Sequence, residues 1–162
     1  MATSDLEIIK KVHRVFRTKG LRLTVAESCT AGLISHMLTS LPGASEFFDS
    51  CIVCYSARSK NKLLGVKKSL IKKYGTVSEE TARAMAEAVR AKIGADVSLA
   101  VTGNLGPEPI EDKQTGLVFI AVSSEDETTS RGFIFDGSRE EIKRAASLEA
   151  FHLLYEAVSA WT

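Results

Sequence analysis

Ser28, Tyr55 and Lys60 are the side chains of this sequence whose types and spacing can do covalent chemistry. A serine hydroxyl attacks a carbonyl carbon only when a neighbouring base takes its proton, and nearby backbone N–H groups can stabilise the anion that forms. Ser28 lies where an alternating stretch, Leu21, Leu23 and Val25, gives way to helical spacing at Leu33, Met37, Leu38 and Leu41. That handover makes it the expected helix N-cap, with the first free amides of the helix pointing near its hydroxyl. Most serines so placed only cap. Tyr55 closes a second apolar run, and Lys60 follows five positions later, in the first turns of the next helix. The positive end of the helix dipole and the like charge of Arg58 are expected to lower the pKa of Lys60, as a lysine needs before it can accept a proton at neutral pH. If the three residues meet, Lys60 or the Tyr55 hydroxyl takes the proton of Ser28 in a serine–lysine hydrolase arrangement. Apart, Lys60 is a surface charge and Tyr55 a strand-end aromatic.

Positioning them falls to alternating strands and helices. Ser4-Asp5-Leu6-Glu7 reads as a capping box, followed by a helix with Leu6, Ile9, Val12, Val15 and Phe16 on one face and a stop at Gly20. The strand through Val25 and the helix after Ser28 come next, ending at Leu41-Pro42-Gly43. Phe47 to Tyr55 reads as a second strand, and short helices cover about 56–64 and 68–74, closed by Gly65 and Gly75. Val77-Ser78-Glu79-Glu80 opens a strong helix whose inner face is Ala82, Met85, Ala86, Val89 and Ile93, with Gly94 at its end. Val97 to Val101 is a strand followed by Thr102-Gly103, and Asn104 to Thr115, with two of the three prolines, is expected to be an exposed, irregular loop. Leu117–Val122 and Gly132–Phe135, joined through Glu125-Asp126-Glu127, form an antiparallel hairpin. Ser138-Arg139-Glu140-Glu141 is a capping box for a last helix buried along Ile142, Ala146, Ala150, Leu153, Leu154, Ala157 and Trp161. The order predicts one α/β domain over 1–162: a three-layer α/β/α sandwich with a mixed, mostly parallel sheet and a late antiparallel hairpin. In such sheets ligands gather at the carboxyl ends of strands, here Glu27-Ser28, Tyr55-Ser56 and Thr102-Gly103.

Composition narrows the function classes. With 162 residues and a net charge of +1, no global field argues for nucleic acid or an anionic membrane, and neither is expected as a partner. Lys67-Lys68 and Lys72-Lys73, with Lys62 close by, read as a solvated helix face, since no aromatic residue interleaves with them. Cys29, Cys51 and Cys54 are odd in number, and the C-x-x-C lies in a strand that sends its thiols to opposite faces, so buried free thiols are expected. His13, His36 and His152 lack ligand spacing, so no metal is expected. Met1-Ala2-Thr3-Ser4-Asp5 lacks a charged-then-apolar signal pattern and no window approaches a membrane span, which points to the cytoplasm.

Three segments carry a family resemblance: Ala26-Glu27-Ser28-Cys29-Thr30-Ala31-Gly32-Leu33-Ile34, then Leu41-Pro42-Gly43-Ala44-Ser45, then Tyr55-Ser56 with Lys60. Together with Val77-Ser78-Glu79-Glu80, Thr102-Gly103 and Gly106-Pro107 they resemble the CinA C-terminal domain family, over about Leu6 to Leu154. That family includes stand-alone nicotinamide-nucleotide amidases, which convert nicotinamide mononucleotide to the nicotinate nucleotide and ammonia. The resemblance implies Ser28 as nucleophile, Tyr55 and Lys60 as its helpers, the backbone at Cys29 and Thr30 as part of the anion site, Thr102 and Gly103 as a substrate turn, and Arg139 as a candidate for substrate phosphate. It implies a nucleotide substrate, no cofactor, and a homo-oligomer of the kind small domains commonly form. The sequence departs from the family pattern in the loop Asn104–Thr115, where Glu108, Pro109 and Ile110 replace glycines, stiffening the backbone and bringing acid charge near a phosphate. Ala57 also stands where the family has Asn. The alternative is therefore an altered or inactive relative that binds a nucleotide or a partner protein.

Overall fold

A computed structural model describes residues 3–161. Its centre is a five-stranded sheet in the order β2-β1-β3-β4-β5, with β1 Leu23–Glu27, β2 Phe48–Val53, β3 Val97–Gly103, β4 Leu117–Ser123 and β5 Thr128–Ile134. β1 pairs in parallel with β2 and β3, while β4 runs antiparallel to both β3 and β5, so the sheet is mixed and four strands point one way. β5 begins at Thr128, four residues before the sequence pattern suggests. Its outward-facing polar residues hide the alternation, but they pair with β4 from Ser123 onward.

Strand periodicity divides the core into two unlike faces. Leu23, Val25, Val97, Leu99, Val101, Val118, Ile120 and Val122 point to one side, where they pack with helices α1 (Thr3–Lys19), α2 (Leu33–Thr39) and α6 (Arg139–Ser159). The intervening residues Ala26, Ala100 and Ala121 face the other layer, α3 (Ala57–Ser59), α4 (Lys68–Tyr74) and α5 (Glu79–Ile93). Small residues on this side let α5 lie close, through Ala82 and Ala86, and the Ser98 hydroxyl donates to the Ala86 carbonyl at 2.6 Å. Ile93, expected inside, is 37% exposed on the last turn of α5. On α6, Phe151 and Val158 are buried where the pattern puts Ala157, which is only half-buried. The capping box expected at Ser4 rests on a side chain outside the described residues. Among the described residues no helix is long and apolar enough to cross a membrane.

The sheet order bears directly on the site. Because β1 lies between β2 and β3 and all three are parallel, their carboxyl ends share one edge, and the ladder continues past β1: Ser28 N–H donates to the Val101 carbonyl at 3.0 Å and Cys54 N–H to the Glu27 carbonyl at 2.8 Å.

Candidate active site

Ser28 is held by its backbone between two neighbouring strands, but it does not cap α2. The residue before that helix is Gly32, at φ 96°, preceded by Ala31 at φ 50°. These two left-handed residues delay the helix by a full turn. Its leading amides instead meet the carboxylate of Glu27, which accepts from Gly32 N at 2.8 Å, Ile34 N at 3.2 Å, Ser35 N at 2.9 Å and the Ser35 hydroxyl at 2.6 Å. Glu27 is fully buried. A carboxylate at the positive end of the helix satisfies the orphan donors in the way a cap residue does, from five positions further back. The expected cluster of free helix amides beside Ser28 is therefore already occupied. The turn itself uses Ala31 N–H to Ser28 O and Leu33 N–H to Thr30 O, each at 3.1 Å. The backbone at Cys29 and Thr30 acts to lower the pKa of the Cys29 thiol, against the larger effect of burial. The Thr30 hydroxyl is buried and has no hydrogen-bond partner among the described residues.

The side chain of Ser28 meets Lys60. Ser56 caps α3, accepting from Ser59 N, and the helix continues into a π-helical turn, Lys60–Leu64, closed by Gly65 at φ 80°. The wider turn brings Lys60 inward, where it is 1% exposed although its neighbours Arg58 and Lys62 are in solvent. Its Nζ lies 2.8 Å from Ser28 Oγ, 3.0 Å from the Cys54 carbonyl and 3.4 Å from the Tyr55 carbonyl. Burial lowers its pKa from 10.5, opposed in part by the Cys54, Cys29 and Glu111 groups nearby. Burial, and not the like charge expected from Arg58, which is exposed, is the leading cause of this lowering.

The three neighbours of Nζ are not equivalent. Two are carbonyl oxygens, which can only accept, so a neutral amine gives them its two N–H groups and turns its lone pair to the Ser28 hydroxyl. Cys29, the next residue, is no rival nucleophile, because burial pushes its thiol up to about 12 despite the amine beside it. Cys51 is likewise pushed to about 12 by burial and by Glu27, to which its thiol donates, and all three cysteines are free.

The remaining residues singled out in the sequence are placed differently from one another. Tyr55 joins the pair through its backbone carbonyl, which lies 3.4 Å from both Ser28 Oγ and Lys60 Nζ and is the hydroxyl's alternative acceptor when its hydrogen is not directed at the amine. The residue is 59% exposed, and its phenol oxygen accepts from Arg139 Nη2 at 2.7 Å. Arg139 opens α6 and donates from Nη1 to the Gly106 carbonyl at 2.6 Å. Both acceptors are neutral, and no carboxylate among the described residues forms an ion pair with this guanidinium. Thr102 is buried and its hydroxyl donates to the Thr76 carbonyl at 2.7 Å. Gly103 is glycine because β4 crowds it: a Cβ there would lie 2.7 Å from Val118 Cγ2 and 3.0 Å from the Leu117 carbonyl.

The loop after β3 is more ordered than its composition suggests. Asn104 and Leu105 are buried. Asn104 Nδ2 donates to the carbonyls of Glu108 and Lys113, and its Oδ1 accepts from Gly106 N. At the far end Glu111, at φ 56°, accepts from Thr76 N, Thr76 Oγ1 and Val77 N, while Lys113 Nζ donates to the carbonyls of Tyr74 and Val77. Glu27, Asn104 and Glu111 are the structural residues that sequence reasoning missed. Only Glu27 had a local signal, an acid five residues ahead of the Gly32 N-cap, with Ala31-Gly32 leading into the helix.

The fold thus brings a buried serine and lysine together at the carboxyl edge of a mixed α/β sheet. The CinA C-terminal domain model matches residues 5–158, and the chain belongs to that family. It is 42% identical over 144 residues to a CinA-like protein of Geobacter metallireducens, covering 88% of this chain and 35% of that one. The corresponding protein of Geotalea daltonii is 43% identical over 144 residues, with the same coverage. The chain thus spans about a third of the length of these curated relatives. Among solved structures it is similar to the competence damage-inducible protein A of Klebsiella pneumoniae, with a TM-score of 0.94 and 31% identity, over 98% of this chain and 99% of that one. A CinA superfamily protein from Escherichia coli superposes with a TM-score of 0.91 at 31% identity, over 96% and 93% of the two chains.

Proposed function

We propose that this chain is an amidohydrolase that removes ammonia from the carboxamide of nicotinamide mononucleotide, with Ser28 as nucleophile and Lys60 as general base. The observation that carries the reading is the 2.8 Å approach of a buried amine, its pKa lowered by burial, to a serine hydroxyl; the amine's other two neighbours are carbonyl acceptors, so in its neutral form its lone pair faces Ser28. Lys60 takes the proton of Ser28 as Oγ bonds to the carboxamide carbon. The resulting ammonium returns that proton to the departing nitrogen, ammonia leaves, and the acyl group stays on Ser28 as an ester. Water, deprotonated in turn by Lys60, attacks the ester and releases the nicotinate nucleotide, restoring the hydroxyl. Lys60 suits the base role better than the Tyr55 phenol, which is turned to Arg139. Arg139, whose hydrogen-bond acceptors are both neutral, is the group we assign to the substrate phosphate.

The acidic loop is compatible with that substrate. Glu111 is directed at the Thr76 and Val77 amides rather than at an incoming phosphate. The test is ammonia release from nicotinamide mononucleotide by the purified chain, with the expected loss of turnover in Ser28→Ala while the fold is kept. Folded protein that releases no ammonia over hours refutes the proposal; tight nucleotide binding unaffected by Ser28→Ala and without turnover would favour a binding module.

A further inference from the structure

Charge is segregated along this chain. Between Ser50 and Ser78 there are seven basic side chains and no acid, although the whole protein carries only +1. Lys60 is buried; Arg58, Lys62, Lys67, Lys68, Lys72 and Lys73 are exposed. None of them takes part in an ion pair among the described residues. Four of the six, Arg58, Lys62, Lys68 and Lys72, surround a single cavity of about 430 Å³ between the π-helical turn and α4. Ala57 and Ile71 give it an apolar floor, and no carboxylate lines it. Asn61, also at the cavity, donates its side-chain amide to the Val66 carbonyl, so it braces the turn. The four basic side chains wall the hollow largely with their aliphatic stems, and four like charges on one small surface raise the local concentration of anions.

We propose that this cavity is a binding site for a small anionic ligand with a planar or apolar body, of the nucleoside diphosphate class. The floor takes the base, and the Arg58 and lysine rim takes the phosphates, with the guanidinium able to hold two oxygens at once. The volume lies within the roughly 300–1,000 Å³ of small-molecule sites. The lining has no aromatic residue on which a nucleic-acid strand would stack. Leu63 is the only exposed large apolar side chain between Ala57 and Lys73, too little to anchor a membrane surface. This site is separate from the serine–lysine pair, although Arg58 and Lys62 flank Lys60 in sequence and the two sites share one short helical segment.

The experiment is calorimetric titration of the intact chain with ADP and, in parallel, with inorganic pyrophosphate. Saturable binding of one ADP is expected, tighter than pyrophosphate because only ADP uses the floor, and weakening as salt is raised from about 0.05 M to about 0.5 M. The double variant Lys62→Glu, Lys72→Glu, both at exposed positions and checked for an unchanged melting temperature, should bind ADP about tenfold more weakly or worse, whereas Ser28→Ala should bind it as the parent does. Absence of saturable ADP binding, equal affinity in the double variant, or loss of ADP binding in Ser28→Ala overturns the proposal. So does capture of the chain by phosphatidylserine vesicles or by a polyglutamate peptide that ADP fails to displace. None of these outcomes bears on whether Ser28 turns over an amide.

Discussion

Replacing Lys60 with methionine separates the chemical from the structural contribution of the buried amine. The stem length is nearly kept, so the core stays filled, but the nitrogen is lost. Removing a general base typically costs 10²–10⁴ in rate, about 3–5 kcal/mol of transition-state stabilisation. The structural cost comes from three contacts, to Ser28 Oγ and to the carbonyls of Cys54 and Tyr55. At roughly 1 kcal/mol each this amounts to about 3 kcal/mol at most, the contact to Tyr55 being the longest. Ionisation acts in the opposite sense. The folded-state pKa lies below 10.5 because the ammonium is buried, so between that value and 10.5 the unfolded chain holds a proton that the folded chain does not. Wild-type stability therefore rises with pH across that window, and the full penalty is felt below it. Methionine has no such penalty. Relative to wild type, Lys60→Met should be most stable in acid and should lose ground steadily as pH climbs towards 10.5. Calorimetric melting of both proteins at about pH 6 and about pH 9.5 reads this directly, at about 2–4 °C per kcal/mol for a chain of this size. A difference in melting temperature that does not move with pH, or ammonia release within tenfold of wild type, would refute the reasoning.

Two further perturbations probe the scaffold. Glu27→Ala strands three helix amides and the Ser35 hydroxyl in a fully buried place, and should cost about 3–4 kcal/mol, seen as a fall of about 10 °C in melting temperature. Glu27→Gln, which keeps an acceptor oxygen, should lose less, and equal losses would contradict the capping role. Glu111→Ala should release the far end of the loop and expose 104–115 to proteolysis while the global melt moves little. Burial raises the Glu111 carboxyl, but bonds from Thr76 and Val77 and the charge of Lys113 outweigh it and bring its pKa below 4.5. The protection it gives is thus fully present above 4.5 and fades as pH falls through the lowered value, and cleavage that is independent of pH in the parent would contradict this.

How much of this could be read from the amino-acid order differs between features. Ser78 and Ser138 are N-caps where their local patterns place them, and Gly65 and Gly94 end helices in the left-handed conformation expected of them. Those signals lie within four residues of the element they control, and here no tertiary contact displaces them. Ser28 shows the limit of the same logic. Its neighbours looked like a cap, yet the left-handed pair Ala31–Gly32 moved the helix start and a buried carboxylate took the amides. Asn104 and Lys113 looked like loop residues because composition reports average exposure. What orders them are single bonds to the Glu108, Tyr74 and Val77 carbonyls, some of them nearly 40 positions away.

The sequence by itself determined the kinds of element, their order, and the edge of the sheet at which polar strand ends gather. Helical and extended periodicities are short-range properties, and a chain that alternates them has few ways to bury its apolar faces. The pairing of Ser28 with Lys60, 32 positions apart, and of Tyr55 with Arg139, 84 apart, was decided only in three dimensions. It required β1 to lie between β2 and β3, and a π-helical turn to rotate one lysine out of a basic segment into the interior. Burial, which tunes that amine, is a property of the surrounding packing. No spacing of residue types encodes it.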